Sequence, residues 1–325
     1  MKRAVIAGTG SYVPENRVTN DDMALLVETS DEWIASRTGI RERRISTGEN
    51  TSDLACEAAK RALQNAGLDA GQLDLIICAT ITPDSFMPSV ACMVQEGLGA
   101  GRAAAFDLSA ACSGLVYGMA CGASFIESGM FGNILVIGAE TLSKTLDFTD
   151  RSTCVLFGDG AGAVVLQASD TGGGISGIHL LSDGSKQDYL RLPALPLKKP
   201  GLEQADTPPQ VITMKGQEVF KFAVRSITEH IRTVLSRTQV PEEEIKYIIT
   251  HQANNRIIEQ AARSSGIPDG KFYRNLDRYG NTSAASIGIA LDEMARKGLL
   301  ESGDKILLVG FGGGMTSGAL LVEWS

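Results

Sequence analysis

The chain carries the same strand and helix pattern twice, 172 residues apart. Leu75-Ile-Ile-Cys-Ala maps onto Tyr247-Ile-Ile-Thr-His251, and Ile134-Leu-Val-Ile-Gly138 maps onto Ile306-Leu-Leu-Val-Gly310. The same offset sets the segment around Cys112 against Ser283-Ala-Ala-Ser286. Short continuous apolar runs of this kind fit strands buried on both faces. Upstream of them, Leu54, Ala55, Ala58, Ala59, Ala62, Leu63 and Ala66 share one helical face. Phe220, Ala223, Val224, Ile227, Ile231, Val234 and Leu235 share another. The pattern predicts two α/β halves with mainly parallel strands and helical crossovers. Further on, Gly160-Ala-Gly-Ala-Val-Val meets Gly318-Ala-Leu-Leu only when the offset falls to 156. The first half therefore holds about sixteen extra residues around Leu142 to Phe157. The loop-like run Asp170-Thr-Gly-Gly-Gly puts the boundary between halves at residues 1–172 and 173–325.

Bulk properties narrow the function. A net charge of −8 argues against nucleic acid as a partner. The apolar run in Met1-Lys-Arg-Ala-Val-Ile-Ala-Gly is too short for a secretory signal, and no stretch reaches membrane-spanning length. A cytoplasmic protein with no membrane partner is expected. The six cysteines form no Cys-x-x-Cys and none follows Cys154, which fits reduced thiols and neither a disulfide framework nor a metal site. Gly8-Thr-Gly10 lacks the third glycine of a dinucleotide fingerprint, so no nicotinamide cofactor is expected.

Cys112 lies in Leu108-Ser-Ala-Ala-Cys-Ser-Gly-Leu, where an apolar strand-like stretch from Ala103 ends and a helix-like one begins. Unpaired N–H groups at a helix start favour thiolate, and the small neighbours leave room for a substrate. Alone, the residue reads more readily as a packed, inert cysteine. Two distant segments add chemistry. His251, one of three histidines, directly follows the apolar run Tyr247-Ile-Ile-Thr, the strand end where open α/β sheets place their sites. Asn281 lies in Tyr279-Gly-Asn-Thr-Ser-Ala-Ala-Ser286. A nucleophilic thiol needs a group that moves protons or holds charge, and often a third polar group.

Ala-Ala-Cys112-Ser-Gly, His251-Gln-Ala-Asn and Gly-Asn281-Thr-Ser-Ala-Ala-Ser together resemble the Cys-His-Asn set of the β-ketoacyl-acyl-carrier-protein synthase III family. The likeness runs from Ile6-Ala-Gly-Thr-Gly-Ser-Tyr-Val-Pro to Gly312-Gly-Gly-Met-Thr-Ser-Gly-Ala. On the way it takes in Asp31-Glu-Trp-Ile, Arg37-Thr-Gly-Ile and Phe157-Gly-Asp-Gly-Ala-Gly-Ala. A thiolase would carry a second cysteine in the C-terminal glycine loop, and an elongating synthase a second histidine in place of Asn281. Neither pattern is present. A relative devoted to an aromatic or long starter unit, and an acyl-CoA-binding module without turnover, remain as alternatives.

The resemblance implies a thiolase-like fold of two duplicated halves in five layers, α-β-α-β-α. It implies a decarboxylative Claisen condensation of a short acyl-CoA, most simply acetyl-CoA, with malonyl-acyl carrier protein. Cys112 would hold the acyl group, and His251 and Asn281 would donate to the developing enolate oxygen. The N–H groups of Cys112 and Gly313 would form the oxyanion hole. Trp33 and Arg37, four apart on a predicted helix, suit stacking on an adenine, and the resemblance adds Arg151 as a third coenzyme A contact. Phe311 would wall the leaving carboxylate. Leu142, Phe157 and Phe311 would line the acyl pocket, and Met87 would reach across a homodimer interface to close the partner's. Lys221 and Arg256, near Lys215 and Arg225, would dock the carrier protein, although a solvated basic face is the alternative. No cofactor or metal is implied.

Overall fold

The computed structural model describes residues 2–195 and 210–325. Two sheets dominate it. The first runs in the order Arg3–Tyr12, Gly160–Ser169, Asn133–Glu140, Leu75–Ala79, Ala104–Leu108. The second runs Ile245–Thr250, Lys305–Gly312, Thr316–Glu323, Gly174–Ser182. A single parallel bridge from Ile248 to Phe272 stands where a fifth strand would lie. The turn between Ser169 and Gly174 links one sheet to the other.

The expectation of mainly parallel strands is corrected. Leu75–Ala79 pairs in parallel with both its neighbours, and Ile245–Thr250 with Lys305–Gly312. The other four pairings within these two sheets are antiparallel. Gly160–Ser169 and Thr316–Glu323 turn back beside the preceding strand without a helical crossover. Apolar runs alone carry no sign of strand direction.

Alternation along the strands builds the layers. Leu75 and Ile77 face one core, whereas Ile76 and Cys78 face another with helix Thr51–Ala66. In the second sheet, Ile306 and Leu308 join the first of these cores, whereas Leu307 and Val309 face helices Gly216–Thr238 and Asn255–Ser265. Between the sheets lie helices Gly114–Glu127 and Ala285–Arg296, apolar on nearly every side because both faces are covered. The result is five layers, α-β-α-β-α.

Each central helix begins hard against the sheet of the other half. A Cβ on Gly138 would fall 2.1 Å from the Ala284 carbonyl oxygen, and one on Gly310 would fall 2.9 Å from Cα of Ser113. These glycines are 172 residues apart, so the close contact is made twice. The turns entering the helices match as well: Ala111 has φ +46° and its counterpart Ser283 has φ +48°. One connection breaks the symmetry most. Nineteen residues, 141–159, join two strands of the first sheet, whereas three, 313–315, join their counterparts; the difference is the sixteen-residue insertion read from the sequence. Among the described residues, no helix is long and apolar enough to cross a membrane.

Candidate active site

Cys112 occupies the tight turn Ala111–Ser113 that opens helix Gly114–Glu127. Its side chain is nearly sealed, at 5% exposure. Gly312 presses on it from the second sheet: a Cβ there would lie 2.6 Å from the cysteine Cβ and 2.9 Å from Sγ. Burial pushes the thiol up to about 11. The Ser283 hydroxyl and the N–H groups of Gly313 and Cys112 oppose the rise, and the Glu140 charge adds to it. Burial and the Glu140 charge thus work against the thiolate that the helix start was expected to favour.

His251 follows strand Ile245–Thr250, and its N–H donates to the Val309 carbonyl at 2.8 Å. Its ring is buried, edge-on to Phe311 with centroids 5.1 Å apart. Burial lowers the imidazole to about 3, so it is neutral at ordinary pH. Nδ1 lies 2.7 Å from Ser286 Oγ, which also receives the Gln252 N–H at 3.4 Å. Among the described residues Ser286 Oγ has no other acceptor, so it donates to Nδ1 and the ring proton sits on Nε2. Asn281 is oriented in a similar way. Its Oδ1 accepts the Ser283 N–H at 2.9 Å, which fixes the amide and leaves the Nδ2 donors unengaged by that bond. Asn281 Oδ1 holds Ser283, which lines one cavity with Cys112, and His251 packs on Phe311, the neighbour of the Gly312 that presses on Cys112.

A cavity of about 790 Å³ reaches Cys112 from one side. Leu142, Phe157 and Gly313 line it, together with Phe86, Ile212 and Ser283. Of the residues expected in the acyl pocket, Phe311 lies outside the cavity lining, packed on His251, and so does Met87, 88% exposed beside exposed Phe86. On another side, Arg37 and Arg151 both stand over the Trp33 ring, at 4.7 and 5.2 Å from its centroid. Asn254 Nδ2 donates to the Arg37 carbonyl at 3.1 Å, which ties this cluster to the start of helix Asn255–Ser265 and so to exposed Arg256. Lys221 is exposed on helix Gly216–Thr238 and pairs with Glu218 at 2.9 Å. Among the described residues, no group of three or more His, Cys, Asp or Glu is placed to hold a metal.

Residues 106–184 match the family described as 3-Oxoacyl-[acyl-carrier-protein (ACP)] synthase III, and residues 235–324 match its C-terminal counterpart. A beta-ketoacyl-[acyl-carrier-protein] synthase III of Clostridium kluyveri is 53% identical over 323 residues, 99% of each chain. The chain belongs to the synthase III family. Among solved structures, 3-oxoacyl-[acyl-carrier-protein] synthase III from Aquifex aeolicus VF5 has a TM-score of 0.92 at 48% identity, over 100% of both chains. The priming β-ketosynthase of the R1128 polyketide pathway has the same TM-score at 32% identity, covering 99% of this chain and 97% of that one.

Within this synthase III framework, three polar residues around Cys112 and His251 escaped sequence reasoning: Glu140, Ser283 and Ser286. Glu140 had a visible signal, a lone charge closing the apolar strand Asn133–Glu140. The two serines lay inside a recognised motif, but their contacts depend on a left-handed turn and a helix phase that no spacing rule supplies.

Proposed function

We propose that the chain condenses a short acyl-CoA with malonyl-acyl carrier protein, releasing CoA and CO₂ and giving a 3-oxoacyl-acyl carrier protein. This step opens type II fatty acid synthesis. The observation that carries the reading is the buried Cys112, pressed by Gly312 of the strand that also holds His251, a neutral imidazole oriented by Ser286. Sulfur attack on the acyl-CoA carbonyl would raise an oxyanion toward the N–H groups of Cys112 and Gly313, and CoA would leave. Malonyl-carrier protein would then lose CO₂. The enolate oxygen would take hydrogen bonds from His251 Nε2–H and the Asn281 amide, donors that do not compete as bases. The carbanion would attack the acyl-Cys112 thioester, and collapse of the second tetrahedral intermediate would free the cysteine. Phe311 would give the departing carboxylate an apolar wall.

Trp33 between Arg37 and Arg151 supports an adenine site for the CoA end, with Lys221 and Arg256 docking the carrier protein nearby. A homodimer is supported by the edge strand Ala104–Leu108, which exposes Phe106, and by exposed Phe86 and Met87. The chain would work in the cytoplasm without a resident cofactor. The test is to mix purified protein with acetyl-CoA and malonyl-carrier protein and to locate the acyl group by mass spectrometry. Acyl label on Cys112 alone, and none on Cys112→Ala, is the expected result. Stable label and turnover in Cys112→Ala would overturn the assignment.

A further inference from the structure

Arg43, on the short strand Glu42–Arg44, is a fully buried cation that the mechanism above does not use. Its hydrogen bonds all end on neutral oxygens. Nη2 donates to Asn20 Oδ1 and to the Val155 carbonyl, both at 2.8 Å, and Nη1 donates to the Val18 carbonyl at 3.2 Å. Nε is buried with no partner among the described residues. Burial draws the guanidinium down to about 10, against the charges of Cys154, Glu42 and Asp22, so it is still a cation at ordinary pH. Burying a charge that no bonded carboxylate neutralises costs stability, so the reason for the residue must lie in what it holds.

Two segments of the site meet on it. Val155 belongs to the long connection 141–159, and just beyond Val155 that connection grips Asn281 by both backbone groups. The Asn281 N–H donates to the Leu156 carbonyl at 2.8 Å, and the Asn281 carbonyl accepts the Gly158 N–H at 3.0 Å. Arg43 closes the other side of this clasp. A Cβ on Gly158 and one on Gly280 would each lie 3.2 Å from the Arg43 Cβ, so both glycines rest on the arginine stem. Gly280, at φ +65°, leads the chain into Asn281. The far end of the guanidinium is anchored as well. Asn20 Nδ2 donates to Asp31 Oδ1 and to the Ile40 carbonyl, each at 2.8 Å, at the start and just past the end of helix Asp31–Thr38. The anchor is thus the helix that carries Trp33 and Arg37.

We propose that Arg43 is a positioning residue for malonyl decarboxylation, locking segment 155–158 against Gly280 so that the Asn281 amide stays in donor position. Arg43 touches no substrate and acts only through Asn281. The Ser283 N–H already fixes the Asn281 side chain, so the share of the arginine is the backbone beneath it. A donor stabilises developing charge only while it is held in place, and a shift of about 1 Å can cost roughly 100-fold in rate. A planar fork suits the task, since it bonds separate segments at fixed angles, whereas a lysine offers one point charge on a flexible stem.

The inference rests on Asn281 being a donor to the enolate, and a double-mutant cycle separates the two ideas. Decarboxylation of malonyl-carrier protein and single-turnover CoA release from acetyl-CoA are measured for the parent, Arg43→Met, Arg43→Lys, Asn281→Ala and Arg43→Met with Asn281→Ala. Arg43→Met strands no carboxylate and so should fold; Arg43→Lys, which keeps the charge, serves the same cycle if it does not. Either substitution should slow decarboxylation tenfold or more at saturating carrier protein, with KM and CoA release changed less than threefold. In the Asn281→Ala background the same substitution should cost less than twofold. A parental decarboxylation rate in either Arg43 variant overturns the positioning role. So do equal losses in both half-reactions, or a tenfold loss that persists without the Asn281 amide, because a merely structural arginine gives those results. A parental rate in Asn281→Ala itself would remove the donor reading and the inference with it, whereas the other outcomes leave Asn281 as a donor.

Discussion

At the scale of single residues, His251 and Asn281 stand apart from Cys112 in what they should do. Each offers one fixed donor, and removing one such donor costs roughly 2.7–4 kcal/mol, or 100–1,000-fold in rate. His251→Ala and Asn281→Ala should therefore cripple malonyl decarboxylation while leaving much of the acyl transfer. Decarboxylation of malonyl-carrier protein at the parental rate in either variant would refute the donor role. The pH sign follows from burial. The folded-state value near 3 lies below the ordinary 6.5, so the neutral donor survives acidification until pH approaches 3. Any stability linked to the neutral ring is likewise lost only as pH falls below 6.5 toward 3. Cys112, His251 and Asn281 were legible because each sits in a contiguous motif that states its neighbours. Glu140 was not, because its meaning lies in four donors drawn from two separate segments, 80–82 and 283.

At the scale of elements, the repeat was legible because duplicated layers demand duplicated apolar runs. Ala104–Leu108 shows the limit. Its run reads as a buried strand, yet as the outermost strand of its sheet it leaves Phe106 37% exposed. Composition does not say which strand is last. The glycine contacts at 138 and 310 were equally hidden, since only the docked helices reveal them. Gly138→Ala drives a methyl group into the Ala284 carbonyl and should destabilise by about 1–3 kcal/mol, read from the denaturant midpoint. Gly101→Ala, where a Cβ meets nothing within 4 Å, is the control. Equal midpoints for the two would show that the helix start can yield. Helix Asn255–Ser265 carries a second test. Arg256→Glu puts a negative charge in the first turn, which the helix dipole tolerates, so folding should hold. Affinity for malonyl-carrier protein should fall and lose its salt sensitivity, with acyl-CoA binding little changed. Unaltered affinity and salt dependence would move the docking surface elsewhere.

At the scale of the whole molecule, one chain leaves the cavity beside Cys112 and its edge strand on the same flank. Asp107 and Leu108 of that strand, with Ser85 and Phe86, belong to the cavity wall. Met87 projects from there into solvent, which fits a residue that completes a neighbour's pocket and not its own. The side chain is unbranched and soft, so it can fold aside where a phenylalanine ring would stand rigid. Primers somewhat larger than acetyl should therefore be accepted, short straight or branched acyl-CoAs among them. Met87→Phe should narrow the range toward acetyl, and Met87→Ala should widen it. Rates with acetyl-, butyryl-, isobutyryl- and octanoyl-CoA give the profile, and sedimentation of each variant reports the oligomer. The two readouts separate the causes. A profile that shifts while the dimer holds identifies Met87 as a gate. A profile unchanged by Met87→Phe leaves it as a contact between copies only.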